Sequence, residues 1–363
     1  MVSLVGVALG ALQVIGSSAS ALEYNQVYTP TSGVFEVYKQ PTTLTGTCAG
    51  GLFEQSQSVG GVPIRVVAPA TSGTYPVLLV SHGANGLNRQ QIWLADYLAK
   101  YGYIVLSIEH TAADACANIS YPAPDSAFIA GSNDVNTVLN NLTTIQNSLN
   151  SSSGRTYTVD TNHIGFIGYS LGAEIGLMKM KEATYLLRSK SVNHGDARIK
   201  AFFLMAGNLG GNTSQAIPGL DQSSANLARL TQPMFWVSGG ADTATQAKSS
   251  WNLELNVPPG NYYVHAPNID HYQFSLGGNT QLQTSLQQFA CAFFDAKLMD
   301  TTFSRNASAL TALNNATAYS GNPLNTYELF SNTQPTRTRW YGTPLTINST
   351  YVGYATHTQW PVP

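Results

Sequence analysis

Charge is what this sequence has least of. Lys and Arg number 17 and Asp and Glu 19, together 10% of 363 residues, where a soluble domain averages about 25%. The net charge at pH 7 is −2 and no basic run exceeds two residues, so the electrostatic footprint that nucleic acid demands is missing. Cysteine is scarce too: Cys48, Cys116 and Cys291 are the full set. No Cys-x-x-Cys or His-Glu-x-x-His spacing occurs, so neither a zinc centre nor a dithiol redox site is indicated, and no metal or organic cofactor is expected. Beyond the first 21 residues no apolar run is long enough to span a bilayer. Hydrophobic residues nonetheless make up 43% and aromatics 10% of the chain, which excludes disorder and supports a large core.

The N-terminus carries its own signal. Val2 to Gly16 is an uncharged, mostly apolar stretch of 15 residues, shorter than the roughly 20 that a spanning helix needs. Ala19-Ser20-Ala21 then gives the small-x-small pattern of a signal-peptidase site. Residues 1–21 are therefore expected to be a signal peptide, with an N-terminal anchor or buried strand as the alternative. Asn-x-Ser/Thr sequons begin at Asn118, Asn141, Asn150, Asn212, Asn306, Asn315 and Asn348, acceptors for glycans in a eukaryotic host. These features together point to a secreted, extracellular glycoprotein. In an oxidising compartment one cysteine pair is expected to bridge. Cys48 with Cys116 is the favoured pair, because Cys291 falls in a helical, core-facing pattern.

From residue 33 to 300, short apolar runs alternate with helical spacing. Strands are predicted at 34–38, 62–68, 77–81, 103–108, 164–169, 201–205, 234–237 and 262–266. Most are continuous apolar runs, the pattern of strands covered on both faces in a parallel sheet. Ile92, Ala95 and Leu98 mark one helical face; Val135, Val138, Leu139, Leu142, Ile145 and Leu149 mark a longer one; Leu282, Leu286, Phe289 and Phe293 mark a third. The alternation predicts an α/β fold, a mostly parallel doubly wound sheet with helices on both faces and its site at the carboxyl ends of the strands. Residues 22–299 are expected to form this domain. Residues 300–363, rich in Asn, Thr, Ser and Tyr, read as a polar C-terminal extension.

The chemistry concentrates in a few stretches. A predicted strand runs into Gly168-Tyr169-Ser170-Leu171-Gly172, and a helical pattern follows. A serine on so sharp a strand-to-helix turn needs residues without side chains two before and two after it. Ser170 is the candidate nucleophile, and the Leu171 amide is placed to donate to an oxyanion. Upstream, the strand ending Val80-Ser81 leads into His82-Gly83-Ala84-Asn85-Gly86, where the Ala84 amide is the candidate second donor. His82 precedes the nucleophile and is expected to shape this loop by local hydrogen bonding. The order Ser…Asp…His favours Asp242, just past the strand 234–237, over its rivals Asp221 and Asp270. It favours His271, in a loop before the last helix, over His265 and His357.

Taken in order, the stretches Val80-Ser81-His82-Gly83, Gly102 to His110, Asp160 to Gly165 and His271-Tyr272-Gln273-Phe274-Ser275 resemble those of the α/β-hydrolase superfamily. Within it they are similar to the platelet-activating-factor acetylhydrolase and dienelactone-hydrolase-like esterases. Tyr169 departs from that pattern, since many relatives carry His beside the nucleophile. The resemblance implies Ser170 as nucleophile, Asp242 as acid, His271 as base, and Ala84 and Leu171 as oxyanion amides. It also implies hydrolysis of a small-molecule, lipid or polymer ester through an acyl-serine, by a protein expected to be monomeric. Trp93, Tyr169 and Trp236 are candidates for an acyl pocket, with core packing as the plainer role. The competing expectation is a non-catalytic secreted protein that binds a partner through the same fold.

Overall fold

The computed structural model describes residues 45–47, 52–114, 117, 119, 123–188, 190–208, 219–221, 223–239, 241–242, 261–266, 269–275, 277–278, 280–298, 328–331 and 338–341. The signal-peptide segment, the strand predicted at 34–38, Cys48, Cys116, His357 and most of the C-terminal extension lie outside them.

In chain order the elements are β1 (Thr45–Thr47), β2 (Phe53–Val59), β3 (Val62–Ala68), β4 (Gly73–Ser81), α1 (Ile92–Lys100), β5 (Ile104–Ile108), α2 (Asp125–Asn140), α3 (Leu142–Ser153), β6 (Tyr157–Tyr169) and α4 (Leu171–Lys179). There follow β7 (Tyr185–Leu186), β8 (Ser191–Val192), β9 (Ile199–Met205), β10 (Gly219–Leu220), α5 (Ser224–Leu227), β11 (Met234–Gly239) and β12 (Tyr262–Ala266). A 3-10 turn (His271–Phe274), α6 (Thr280–Lys297), β13 (Glu328–Ser331) and β14 (Thr338–Tyr341) complete the set.

One large sheet has the order β1-β2-β3-β5-β4-β6-β9-β11-β12-β13-β14. Strands β5, β4, β6, β9, β11 and β12 are parallel neighbours. Strand β3 runs antiparallel to β5 and β2 antiparallel to β3. At the other edge β13 and β14 continue the sheet antiparallel to β12. Strands β7, β8 and β10 form a small separate sheet.

Alternation along each buried strand sorts its side chains into two cores. Val77, Leu79, Ile104, Leu106 and Phe166 face a core completed by Val135, Val138, Ile145 and Leu149 of α2 and α3 and by Ile175 and Leu177 of α4. Leu78, Val80, Val105, Ile167 and Phe203 face the opposite core, completed by Leu94 and Leu98 of α1 and by Leu286, Phe289, Phe293 and Phe294 of α6. This is why the central strands read as unbroken apolar runs. The stripe predicted as one helix is broken at Asn141, between α2 and α3.

The chain leaves β4 to one side, through α1 to β5, and returns to the other side through α2 and α3 to β6. The direction of winding therefore reverses across β4, and the gap beyond the carboxyl ends of β4 and β6 is where such a sheet accommodates a ligand.

Under the sheet's antiparallel edge lies a buried ionic cluster. The Arg65 guanidinium, with no exposed surface, donates to Glu54 and Asp96, and Arg89 also reaches Glu54. Burial opposes the charge on Arg65, but Asp96 and Glu54 outweigh it and hold the guanidinium above its usual pKa. Removing one member of such a cluster leaves buried charge without its counterion. Arg65→Met should therefore lower stability by about 3–5 kcal/mol in denaturant unfolding.

Candidate active site

Strand β6 ends at Tyr169, and α4 begins at Leu171. Ser170 forms the joint, with φ 53° and ψ −121°, a strained conformation for a residue with a side chain. The flanking glycines have a steric reason. A Cβ on Gly168 would run into the backbone of Gly172 and Ala173, and one on Gly172 into the carbonyls of Ser81 and His82. The elbow is thus pressed against the chain as it leaves β4. Gly83 continues the contact: a Cβ there would lie 2.9 Å from Tyr169 Cε1 and 3.0 Å from Ser170 Cβ.

The three side chains proposed from chain order meet at this joint. His271 Nε2 lies 2.9 Å from Ser170 Oγ, and His271 Nδ1 lies 2.9 Å from Asp242 Oδ2. A carboxylate can only accept, so Nδ1 carries the proton and Nε2 turns its lone pair to the serine hydroxyl. The Asp242 side chain is wholly buried and that of His271 is 12% exposed.

Each member is held by its own segment. The Asp242 amide donates to the Gly239 carbonyl at the end of β11, and the Ala241 amide donates to the Ile269 carbonyl. The latter bond ties the loop of Asp242 to that of His271. Gly239 has no side chain because Ile269 occupies that space. His271 opens the 3-10 turn. Asp270 caps it by accepting from the Tyr272 and Gln273 amides, while Gln273 Oε1 accepts from the Asp270 amide. Asp270 is therefore a capping residue. The other rival, Asp221, accepts from the Ser223 amide beside the small sheet. His265 sits within β12, paired across to Ser238.

The loop after β4 is fixed from several sides. His82 Nδ1 donates to the Gly83 carbonyl at 2.7 Å, and its Nε2 accepts from the His110 amide at 2.9 Å. Those two partners define the tautomer. Burial, and secondarily His110, push the His82 pKa down to about 3, so this imidazole is neutral and structural. Gln90 Oε1 accepts from the Gly83 amide, and the Gly86 amide donates to the Gly83 carbonyl. Asn85, with φ 56°, exchanges side-chain hydrogen bonds with the backbone of Ile119.

Because the peptide is planar and trans, a fixed Gly83 carbonyl also fixes the opposite direction of the Ala84 N–H. Neither the Ala84 nor the Leu171 amide donates to another backbone group among the described residues. Beneath this loop Ser81 Oγ lies 2.7 Å from His110 Nε2, and His110 Nδ1 lies 3.0 Å from Asp134 Oδ2. This repeats the donor order of the open site, but Ser81 and His110 have no exposed surface.

The sequence singled out His82, and the structure gives it the loop-shaping contacts expected. Trp236 is core, 1% exposed, and Trp93 packs partly buried against the α1 and α6 side. Gln90, His110 and Glu174 were not foreseen, because nothing in their local pattern separates a buried hydrogen-bonding role from a surface one.

A family model described as Chlorophyllase matches residues 31–176, and that family lies within the α/β-hydrolase superfamily. The match runs through the loop after β4 and the elbow, and stops before Asp242 and His271. With the sheet order and the elbow geometry, it decides the architecture. This chain has the α/β-hydrolase fold. No curated protein matches it.

Glu174 lies one turn into α4, fully buried; it accepts from the Asn208 amide at 3.4 Å and from the Tyr185 hydroxyl at 3.3 Å. Burial outweighs those two bonds and raises its pKa from 4.5 to about 8. Between about pH 4.5 and 8 the folded chain holds a proton that the unfolded chain has released, so this group's contribution to stability falls as pH rises through that window. Glu174→Gln keeps the neutral form: its Oε1 can still accept from the Asn208 amide, while its Nε2 would donate to the Tyr185 hydroxyl oxygen instead of accepting from it. Its melting temperature should match the wild type near pH 4 and exceed it increasingly up to pH 8, as calorimetry across that range would show.

Proposed function

We propose that this protein is a secreted serine hydrolase of carboxylic esters, acting through an acyl-serine intermediate. The observation that carries the proposal is the continuous hydrogen-bonded line from Ser170 Oγ through the His271 imidazole to the buried Asp242 carboxylate. A neutral imidazole with its lone pair on the serine hydroxyl is set to take that proton as Oγ attacks an ester carbonyl. The resulting imidazolium then protonates the leaving alcohol, and the same base activates water to release the acyl group. Asp242 holds the ring in the working tautomer and stabilises its cation.

The Ala84 and Leu171 amides are the proposed oxyanion donors. Leu171 is the first residue of α4, so its N–H belongs to the unpaired, partially positive helix start. Ala84 is the donor whose direction His82 and Gly86 fix through the Gly83 carbonyl. Such a donor is worth about 3–4 kcal/mol of barrier in comparable sites. The Chlorophyllase match supports ester chemistry. The scarcity of charge favours an apolar or neutral acyl group, whether in a small ester, a lipid or a polyester.

A chain-length series of p-nitrophenyl esters, then a phospholipid and a polyester film, tests both the activity and its range. Ser170→Ala should lower kcat/KM at least about 1,000-fold with no change in folding. Equal turnover by wild type and Ser170→Ala would remove the serine from the mechanism. His82→Ala removes one of the two donors that fix the Gly83 carbonyl, leaving Gly86, and should lower kcat about 10- to 100-fold, less than the roughly 100- to 1,000-fold cost of losing an oxyanion donor outright, with KM little changed.

A further inference from the structure

We infer that Tyr169, the residue immediately before the nucleophile, is a positioning residue that holds the base's loop over the elbow. The inference rests on the ester-hydrolase reading above and adds to it a specific control of the base.

Tyr169 closes β6 and is 2% exposed. Its hydroxyl donates to the main-chain carbonyl of His271 at 2.9 Å, across 102 residues of sequence. Its ring packs against the imidazole, with centroids 5.4 Å apart and planes at 34°. The same ring borders Gly83 on its other side, where a Cβ would stand 2.9 Å from Tyr169 Cε1. One side chain therefore touches the segment of the base and the segment of the proposed oxyanion loop while its backbone leads into the serine.

The other restraints on His271 act differently. The Asp270–Gln273 cap stiffens the turn internally and does not locate it relative to β6. The bond from the Ala241 amide to the Ile269 carbonyl ties the turn to the acid's loop. The Tyr169 hydroxyl ties it to the nucleophile's own strand. Because the phenol spends its proton on a backbone carbonyl, it acts through the position of His271 and not on the substrate. Proton transfer from Ser170 depends on a separation near 3 Å and falls steeply when the base drifts by about 1 Å. A group that sets this separation governs kcat and leaves KM almost alone.

The test replaces Tyr169 with Phe, with 4-methylphenylalanine, which fills the hydroxyl's space without a donor, and with 4-aminophenylalanine, which retains one. Each variant is scored per folded molecule for kcat and KM on a short p-nitrophenyl ester and for the rate at which an organophosphate modifies Ser170. The expected result is a kcat about tenfold lower for the Phe and 4-methyl variants, KM within twofold, a parallel fall in modification rate, and recovery in the 4-amino variant. The 4-methyl variant carries the test if the smaller Phe does not fold. Rates within twofold of wild type in the donor-less variants would overturn the inference and leave the ester-hydrolase reading standing. A wild type that neither turns over esters nor is modified at Ser170 would instead overturn that underlying reading.

Discussion

The close approach of two backbones controls this molecule's site. Where β6 turns into α4, the chain is pressed against the residues leaving β4, so closely that Gly172 has no space for a side chain, and the turn itself is so tight that Gly168 has none either. Ser170 takes up the cost in a left-handed φ of 53°. Parallel pairing of β4 with β6 sets the two backbones side by side, and the reversal of winding at β4 opens the crevice above them. The serine hydroxyl, the start of α4 and the loop carrying Ala84 are neighbours for that one reason. Asp242 and His271 then follow β11 and β12, the parallel strands beyond β9, whose carboxyl ends face the same rim.

Below the rim lies a polar layer that the chemistry does not touch. His82, His110 and Ser81 are buried and join the partly exposed Asp134 in a connected set of hydrogen bonds, every donor direction of which is fixed by its partner. The contrast with Ser170, His271 and Asp242 is instructive, because the donor order is the same and only access differs. Buried and neutral, His82 gives the Gly83–Ala84 peptide one orientation, which is the kind of pre-organisation that electrostatic stabilisation requires. On the proposed reading, this charge-poor chain uses oriented neutral groups for that purpose, and the buried Arg65 cluster lies away at the antiparallel edge of the sheet.

Much of this was legible in the sequence, for identifiable reasons. Strands β3 and β12 were read with the bounds they have, and β5, β9 and β11 within two residues, because apolar residues dominate each of these short runs. The antiparallel strand β2 was missed: Glu54-Gln55-Ser56-Gln57-Ser58 is polar throughout, yet Glu54 and Gln55 are buried against Arg65 and α3. The long helical stripe gave no warning of its break at Asn141. The elbow was visible because its glycines are a backbone requirement, and chain order selected Asp242 and His271 from their rivals. What stayed hidden was the layer of long-range polar contacts, such as Tyr169 to His271 and His82 to His110. A hydrogen bond across 102 residues leaves no trace in local spacing.

The central claim is that the fold makes one serine, and no other, a nucleophile. Incubating the folded wild-type chain with a fluorophosphonate and mapping the adduct by peptide mass spectrometry tests this most directly. The account predicts one equivalent of label, on Ser170, with labelling lost on unfolding and slowed severely in His271→Ala. Label on another residue with Ser170 unmodified, or a folded chain that takes up none, would contradict it.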